Sequence, residues 1–235
     1  MTPVRLADRP EPGPGADYTQ TGADAVNALD HRLNMQFLAS APDLSSCPAG
    51  EAPEVAFAGR SNAGKSSVLN RLTGTRHTAK VSKTPGRTRL LNFFALASGA
   101  RLVDLPGYGY AKASARTQAQ WQAAVNEYLS FREQLAGVVL VTDIRHPGMA
   151  FDEQFIDWAL ASEMPLHVLL NKADKLKRGA QGRALAAYRK RLGAAATAQL
   201  FSALRGQGTD ELSARVTAWL GDAGVVAEGR PCQSG

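Results

Sequence analysis

The sequence predicts a three-layer α/β domain whose sheet is mostly parallel and contains one antiparallel hairpin strand. Three observations carry that expectation. Short apolar runs alternate with helix-like runs from Val55 to Leu220, with no internal repeat. A loop of the form G-x-x-x-x-G-K-S, Gly59 to Ser66, stands between the first such strand and the helix after it. One neighbouring pair of strand-like runs is joined by the turn Ala97-Ser98-Gly99-Ala100 instead of a helix, which makes that connection a hairpin.

Residues 1–22 carry Pro3, Pro10, Pro12 and Pro14 among several glycines and offer too little apolar surface to order themselves, so a disordered tail is expected. Residues 23–53 read as an N-terminal extension, with an amphipathic helix over Ala23 to Leu33 and an extra strand over Met35 to Ala39 ahead of a loop at Pro42. The main domain is placed at 54–220. It opens with a short buried strand, Val55 to Ala58, and a helix from Ser66 to Leu72; Ala79 to Arg89 is too rich in Lys, Arg, Thr, Gly and Pro for either element. Strands at Leu90 to Leu96 and Arg101 to Val103 form the hairpin, and a loop from Pro106 to about Arg116 follows. The alternation then runs through helix Thr117 to Glu133, strand Val138 to Thr142, helix Asp152 to Ser162, strand Leu166 to Leu170, helix Gly182 to Leu192, strand Gln199 to Phe201 and helix Thr209 to Leu220. Residues 221–235 read as a second tail.

Composition narrows the class. With 235 residues, 44% hydrophobic and 20% charged, the chain is ordinary globular material for one domain with extensions. A net charge of +6 admits a polyanionic partner without naming one. Cys47 and Cys232 lack metal-ligand spacing and are too few for a disulfide scaffold, which suits a reducing compartment. No apolar stretch reaches the length of a membrane span or of a secretory leader, and Asp8, Glu11, Asp17, Asp24 and Asp30 argue against a transit peptide; a cytoplasmic protein without a membrane anchor is expected. Cys232 is fourth from the end, but Gln233, Ser234 and Gly235 do not make a prenylation box.

In a doubly wound sheet, ligands bind beyond the carboxyl ends of the strands, and the chemistry-bearing motifs fall there. Around a phosphate chain, the loop Gly59, Arg60, Ser61, Asn62, Ala63, Gly64, Lys65 and Ser66 would turn backbone N–H groups inward, extend Lys65 to the outer phosphates and present the Ser66 hydroxyl to Mg²⁺. The helix N-terminus behind it adds partial positive charge. After the third core strand, Asp104-Leu105-Pro106-Gly107 is a D-x-x-G motif, in which a carboxylate can hold Mg²⁺ through water and a glycine N–H can meet a γ-phosphate. After Leu170, Asn171-Lys172-Ala173-Asp174 is an N-K-x-D motif that selects guanine. The Asp174 carboxylate can accept from the N1–H and the exocyclic amine together, a pair adenine does not offer. Asn171 would face the base edge or brace the phosphate loop, and the Lys172 stem would cover the ring face. Phe201-Ser202-Ala203 follows the last strand, where backbone N–H groups can meet the guanine O6.

These four loops in this order resemble the translation-factor-related class of P-loop GTPases, over roughly residues 54 to 220. Five signatures narrow the resemblance to the bacterial EngB family, also called YihA or YsxC: Gly59 to Ser67, Ser82-Lys83-Thr84-Pro85-Gly86-Arg87-Thr88, Asp104-Leu105-Pro106-Gly107-Tyr108-Gly109-Tyr110, Asp143-Ile144-Arg145-His146-Pro147, and Asn171 to Leu176. The Pro-rich start and the segment past Leu220 lie outside the resemblance. It implies GTP and GDP as ligands, Mg²⁺ as cofactor, and further nucleotide contacts from Gly86, Arg87, Thr88, Arg89 and Leu90. For switch I, Thr84 and Thr88 both offer a hydroxyl to Mg²⁺; the resemblance favours Thr88, alongside Ser66.

Ras-type enzymes place a water-orienting glutamine directly after the D-x-x-G glycine, and here that position is Tyr108. A phenol does not accept from the water and donate to the phosphate as an amide does, so slow hydrolysis is expected. Asn62 occupies the position that coordinates K⁺ in related potassium-activated GTPases, which makes Asn62 and Lys65 the candidate catalytic residues and K⁺ a candidate cofactor. His146, with no paired carboxylate evident in sequence, reads as structural, and Asp143 as a turn or cap residue.

A slow GTPase with switch loops reports its nucleotide state through differential binding. Basic residues gather at Lys172, Lys175, Lys177, Arg178, Arg183, Arg189, Lys190 and Arg191, and at Lys80, Lys83, Arg87 and Arg89, in clusters that can read an RNA backbone. The EngB resemblance implies a role in assembly of the large (50S) ribosomal subunit and in normal septation and cell division, for a monomer with no DNA sequence recognition. The alternative is a GTPase switch whose effector is a cell-division protein, without ribosome binding. A metabolic kinase is disfavoured, because no second substrate domain is visible.

Overall fold

A computed structural model describes residues 35–74, 90–108 and 115–227. The expected N-terminal tail, the helix over Ala23 to Leu33, and the switch I positions Thr84, Gly86, Arg87, Thr88 and Arg89 lie outside the described residues. The elements run β1 (Met35–Ala41), β2 (Glu54–Gly59), α1 (Lys65–Leu72), β3 (Leu91–Leu96), β4 (Arg101–Asp104), α2 (Ala115–Phe131), β5 (Leu135–Asp143), α3 (Ala150–Ala161), β6 (Leu166–Asn171), α4 (Arg178–Leu192), β7 (Thr197–Leu200) and α5 (Thr209–Ala227). One seven-stranded sheet has the order β1-β3-β4-β2-β5-β6-β7. From β4 to β7 every pairing is parallel, and β3 alone runs antiparallel to its neighbours β1 and β4. This is the mostly parallel sheet with an antiparallel hairpin strand that the motif order predicts.

Period-two alternation sorts the strand residues onto two faces. Ala56 and Ala58 of β2, Val138 and Leu140 of β5, and Val168 and Leu170 of β6 pack with Tyr128 and Leu129 of α2, Ile156 of α3, and Tyr188 and Leu192 of α4. Val55 and Phe57, Val139 and Val141, and Leu169 face the other way, onto Val68, Leu69 and Leu72 of α1 and Leu212 and Val216 of α5. Both faces of β2, β5 and β6 are thereby covered, which is why these strands read as near-continuous apolar runs. The hairpin turn closes with Gly99 N–H donating to the Leu96 carbonyl at 2.9 Å.

Three boundaries differ from expectation by three residues or more, and the others by no more than two. β5 begins at Leu135 instead of Val138, because Leu135 pairs with Glu54 across the sheet. α4 begins at Arg178 instead of Gly182: the Gln181 amide donates to the Ala173 and Leu176 carbonyls at 2.8 and 2.9 Å, and so anchors a first turn that Gly179 and Gly182 alone would weaken. α5 continues to Ala227, past Gly221, so the tail expected from residue 221 is helical over its first part. Trp219 and Leu220 pack against the core, and the roughly 1 kcal/mol cost of a helical glycine is too small to end the helix there.

At the amino end of the sheet, Glu54 is fully buried with its carboxylate fully engaged. Arg132 donates to it at 2.6 and 3.0 Å, Arg101 at 3.1 Å, and the Tyr128 hydroxyl at 2.9 Å. Both arginines also hold the Pro48 carbonyl, at 2.7 and 3.1 Å, which ties the segment before β2 to β4 and the end of α2. A buried charge with these partners is tolerated, whereas removing one side strands the others. Glu54→Ala is expected to lower unfolding free energy by about 3–5 kcal/mol. Urea denaturation checks this; a change under about 1 kcal/mol would remove the cluster from the stability argument.

Candidate functional site

The loop after β2 lies where the chain order parts, β4 on one side of β2 and β5 on the other, the position at which doubly wound sheets open a crevice. Gly64 caps α1 at φ +100° and supplies no side chain to its first turn, so those N–H groups stay available to a ligand. A Cβ at Gly64 would stand 2.4 Å from the Asn171 amide nitrogen, so only glycine fits. Asn62 also adopts positive φ, +68°, and its exposed side chain makes no hydrogen bond among the described residues. Lys65 Nζ lies 2.5 Å from Asp104 Oδ1, which joins the phosphate loop to the D-x-x-G segment.

That segment continues the β2–β4 ladder. Leu105 N–H donates to the Phe57 carbonyl at 3.0 Å, and Ser61 N–H to the Tyr108 carbonyl at 2.8 Å. Tyr108 does not point its hydroxyl into the loop. It donates to Asp152 Oδ1 at 2.6 Å, with its ring 5.7 Å from that of Phe151. Burial, with Asp152 beside it, pushes the Tyr108 hydroxyl far above the usual phenol range.

After β6, Asn171 braces rather than projects. Its Nδ2 donates to the Ala63 carbonyl at 2.9 Å, and its Oδ1 accepts the Ala203 N–H at 3.3 Å. Lys172, at φ +65°, donates to the Asn62 carbonyl at 2.6 Å and to Asp143 Oδ2 at 2.8 Å. Asp174 Oδ1 accepts from the Ser202 hydroxyl at 2.6 Å; that bond is the chief reason its carboxyl lies below the ordinary range. The two specificity loops are stitched together, since Phe201 N–H donates to the Leu170 carbonyl and Ala173 N–H to the Phe201 carbonyl, both at 3.0 Å.

The structure therefore brings Gly59 to Ser66, Asp104 to Gly107, Asn171 to Asp174 and Phe201 to Ala203 to one sheet edge. Leu90 precedes β3, and its carbonyl accepts from the Asn92 side-chain amide at 3.2 Å. His146 does have a neighbouring carboxylate, which the sequence did not make evident: its Nδ1 is 3.7 Å from Oδ2 of Asp143, three residues earlier in the same turn. Asp143 accepts the Arg145 N–H, as a turn residue does, and is also an electrostatic hub. Burial works against its charge, but hydrogen bonds from Arg145 and Lys172 outweigh it and hold the carboxyl well below the usual range. Two residues carried no local signal. Arg71 of α1 donates to the Ala203 and Leu204 carbonyls at 2.9 and 3.1 Å, and Asp152 holds Tyr108.

A family model described as "50S ribosome-binding GTPase" matches residues 54–172. A probable GTP-binding protein EngB of Vibrio parahaemolyticus serotype O3:K6 (strain RIMD 2210633) is 48% identical over 196 residues, covering 82% of this chain and 90% of the relative. The chain belongs to the EngB family. The probable GTP-binding protein EngB of Hydrogenovibrio crunogenus (strain DSM 25203 / XCL-2) is 47% identical over 197 residues, covering 82% of this chain and 93% of its own. In fold, the chain is similar to a crystal structure of a probable GTP-binding protein engB, with TM-score 0.58 at 20% identity over 72% of this chain and 99% of that one. It is also similar to the elongation factor SelB of Methanococcus maripaludis in complex with a GTP analogue, with TM-score 0.52 at 15% identity over 75% of this chain and 35% of that one.

EngB proteins are P-loop GTP hydrolases, and this chain is a GTPase of that family. Such GTPases generally use Mg²⁺, and the donor set suits it. Among the described residues no cluster of three or more His, Cys, Asp or Glu side chains exists to hold a metal by protein ligands alone. The Ser66 hydroxyl and the Asp104 carboxylate are hard oxygen donors beside the loop, suited to a cation that keeps waters and takes phosphate oxygens. When bound, Mg²⁺ would neutralise phosphate charge. Among the described residues no helix is long and apolar enough to cross a membrane.

Asp174 tests guanine selection. Asp174→Asn is expected to weaken GTP by a factor of roughly 10 to 100, as for loss of charged hydrogen bonds, and to favour xanthosine triphosphate. Competition binding with the two nucleotides measures it, and unchanged preference for GTP would assign the base contact elsewhere.

Proposed function

We propose that this EngB protein is a slow, Mg²⁺-dependent GTPase switch acting in assembly of the large ribosomal subunit, and through it in normal cell division and septation. In this reading Gly59, Arg60, Ser61, Asn62, Ala63, Gly64 and Lys65 cradle the phosphates, and Ser66 and Thr88 ligate Mg²⁺. Gly86, Arg87, Arg89 and Leu90 complete the switch I side, Asp104 to Gly107 sense the γ-phosphate, and Asn171 to Asp174 with Phe201 to Ala203 enclose the guanine. It works as a cytoplasmic monomer, on 54–220 with the 23–53 extension.

One surface observation supports the ribosomal partner. α4 and the turn before it expose Lys177, Arg178, Arg183, Arg189 and Lys190, and none of these has a carboxylate partner among the described residues. Arg191, by contrast, is paired with Glu153 and Asp157 of α3. Exposed cations without carboxylate partners, gathered on one helix and its N-terminal turn, suit a phosphate backbone, where each neutralised phosphate releases counterions. A second reading, a protein effector in cell division without ribosome binding, draws on Met149 and Phe151, exposed large apolar side chains at the start of α3, the latter with its ring beside Tyr108.

Co-sedimentation with 50S particles at moderate salt separates the two. The GTP-bound form is expected to associate more than the GDP-bound form; equal or lower association removes the ribosomal reading.

The Asn62 side chain, exposed at the loop and without a hydrogen bond among the described residues, is available to ligate K⁺, which would supply the charge neutralisation that Tyr108 does not. GTP turnover is therefore expected to rise in K⁺ relative to Na⁺, and to lose that difference in Asn62→Ala. Equal turnover of the wild type in both salts would sink the K⁺ role.

A further inference from the structure

β7 is an outer strand of the sheet, and only part of its free edge is closed. Phe201 N–H donates to the Leu170 carbonyl of β6, so the alternate positions Ala198, Leu200 and Ser202 turn their peptide groups away from the sheet. Ser202 N–H donates to the Gln207 carbonyl at 3.1 Å in an antiparallel bridge. Gly208 lies so close to the Leu200 carbonyl that a Cβ there would stand 2.4 Å from it. At Ala198 this cover ends. Its carbonyl accepts from Arg189 Nε at 3.4 Å, longer than an ordinary N–H···O bond.

The open stretch lies in a groove of about 670 Å³ between α4 and α5, with Arg189 on the α4 wall and Glu211, Ala214, Arg215 and Ala218 on the α5 wall. Alanines on the wall and at position 198 leave room for a second backbone to reach the strand. The base of the groove is preformed. Buried His167 bonds Thr197 Oγ1 at 2.7 Å and Gln199 Oε1 at 2.9 Å, and Gln199 Nε2 donates to the Gly208 carbonyl at 2.8 Å. Burial draws the His167 pKa down to about 4, so it is neutral at pH 7 and the walls set two arginines against one glutamate. Both arginines are exposed, and neither has a carboxylate partner among the described residues. A sheet edge of unpaired peptide groups is a template for another strand unless something blunts it. Here the blunting at Ala198 is one long bond from an arginine, which can exchange it for a carboxylate.

We propose that the groove between α4 and α5 binds a short, extended, acidic segment of another protein, which pairs its backbone with the outward peptide group of Ala198 and sets carboxylates against Arg189 and Arg215. Backbone pairing supplies affinity, and the arginines supply the preference for acids. The edge favours a polypeptide over a nucleic acid. A ribose-phosphate chain has no repeating N–H and C=O to complete a strand edge, and the groove lining holds no Phe, Tyr or Trp for a base to stack on. Thr197 and Ala198 open β7, whereas the nucleotide-side loop follows its end, so the groove is separate from the phosphate and guanine loops. The proposal does not require the ribosomal reading, and it leaves Lys177, Arg178, Arg183 and Lys190 to the phosphate-binding surface.

The test is fluorescence anisotropy of the full chain with a labelled heptapeptide of alternating Glu and Val, blocked at both ends. Its comparisons are a Lys-Val counterpart, two Glu-Val versions N-methylated at every Glu or at every Val, and oligouridylate. The Glu-Val peptide is expected to bind saturably and the Lys-Val peptide not to bind. N-methylation removes strand donors without changing charge, so at least one methylated version should bind about tenfold more weakly, the scale of one or two backbone hydrogen bonds. Arg189→Ala and Arg215→Ala should each weaken the Glu-Val peptide about fivefold, the scale of an exposed ion pair. Arg189→Glu combined with Arg215→Glu should transfer the preference to the Lys-Val peptide, with an unchanged far-UV spectrum because both side chains are exposed. Equal binding of the two peptides, binding of neither, full affinity in both methylated versions, or affinity indifferent to the arginine changes overturns the proposal. So does oligouridylate binding that the double reversal abolishes and the Glu-Val peptide does not displace, the outcome for a nucleic-acid groove.

Discussion

The primary amide of Asn171 spans three loops that share no sequence proximity. By donating to the Ala63 carbonyl and accepting from the Ala203 N–H, it sets the distance between the phosphate cradle, the guanine loop and the loop after β7. An amide suits the post because it donates and accepts in one plane, and burial makes an unmade bond there expensive. The close approach it requires is also what restricts position 64 to glycine. The loops after β2, β6 and β7 are thus referenced to a single rigid group. The remaining braces, Lys172 on the Asn62 carbonyl and Arg71 on the Ala203 and Leu204 carbonyls, hold the same loops from outside.

Charge in the site is arranged as a relay of neighbouring pairs. Lys65 is held by Asp104, Lys172 by Asp143, and Asp143 is shared with Arg145. Each lysine is kept aimed before any anion arrives, which limits the side-chain entropy lost on binding. Each can exchange a carboxylate for phosphate or for a ring face without being left uncompensated in a partly desolvated position. The same logic holds at the far end of the sheet, where Glu54 has two guanidinium groups and a phenol, and there the pairing serves cohesion instead of exchange.

Local information made most of this legible. Short apolar runs between turn signals pointed to all seven strands, most clearly β2, β5 and β6, whose two covered faces leave near-continuous apolar runs. The loop motifs pointed to one sheet edge, and the structure gathers the segments that carry them there. What stayed hidden depends on long-range pairing. Nothing near Asp152 in sequence announces that it meets Tyr108, forty-four positions away, and nothing near Glu54 announces Arg101 or Arg132. Gly221 was legible in the wrong direction, since a glycine after an amphipathic run reads as a helix end, while the packing of Trp219 and Leu220 carries the helix through.

The antiparallel hairpin carries a consequence of its own. β3 starts directly after the segment that holds the switch I threonines, and β4 ends at the D-x-x-G aspartate, with Asn92 paired to Asp104. A hairpin whose two faces are both buried does not slide, because a one-residue slip would turn Phe93 and Val103 out of their layer. It behaves like a toothed rack joining two handles. The register of one strand therefore fixes that of the other, and the start of β3 and the end of β4 keep one set offset.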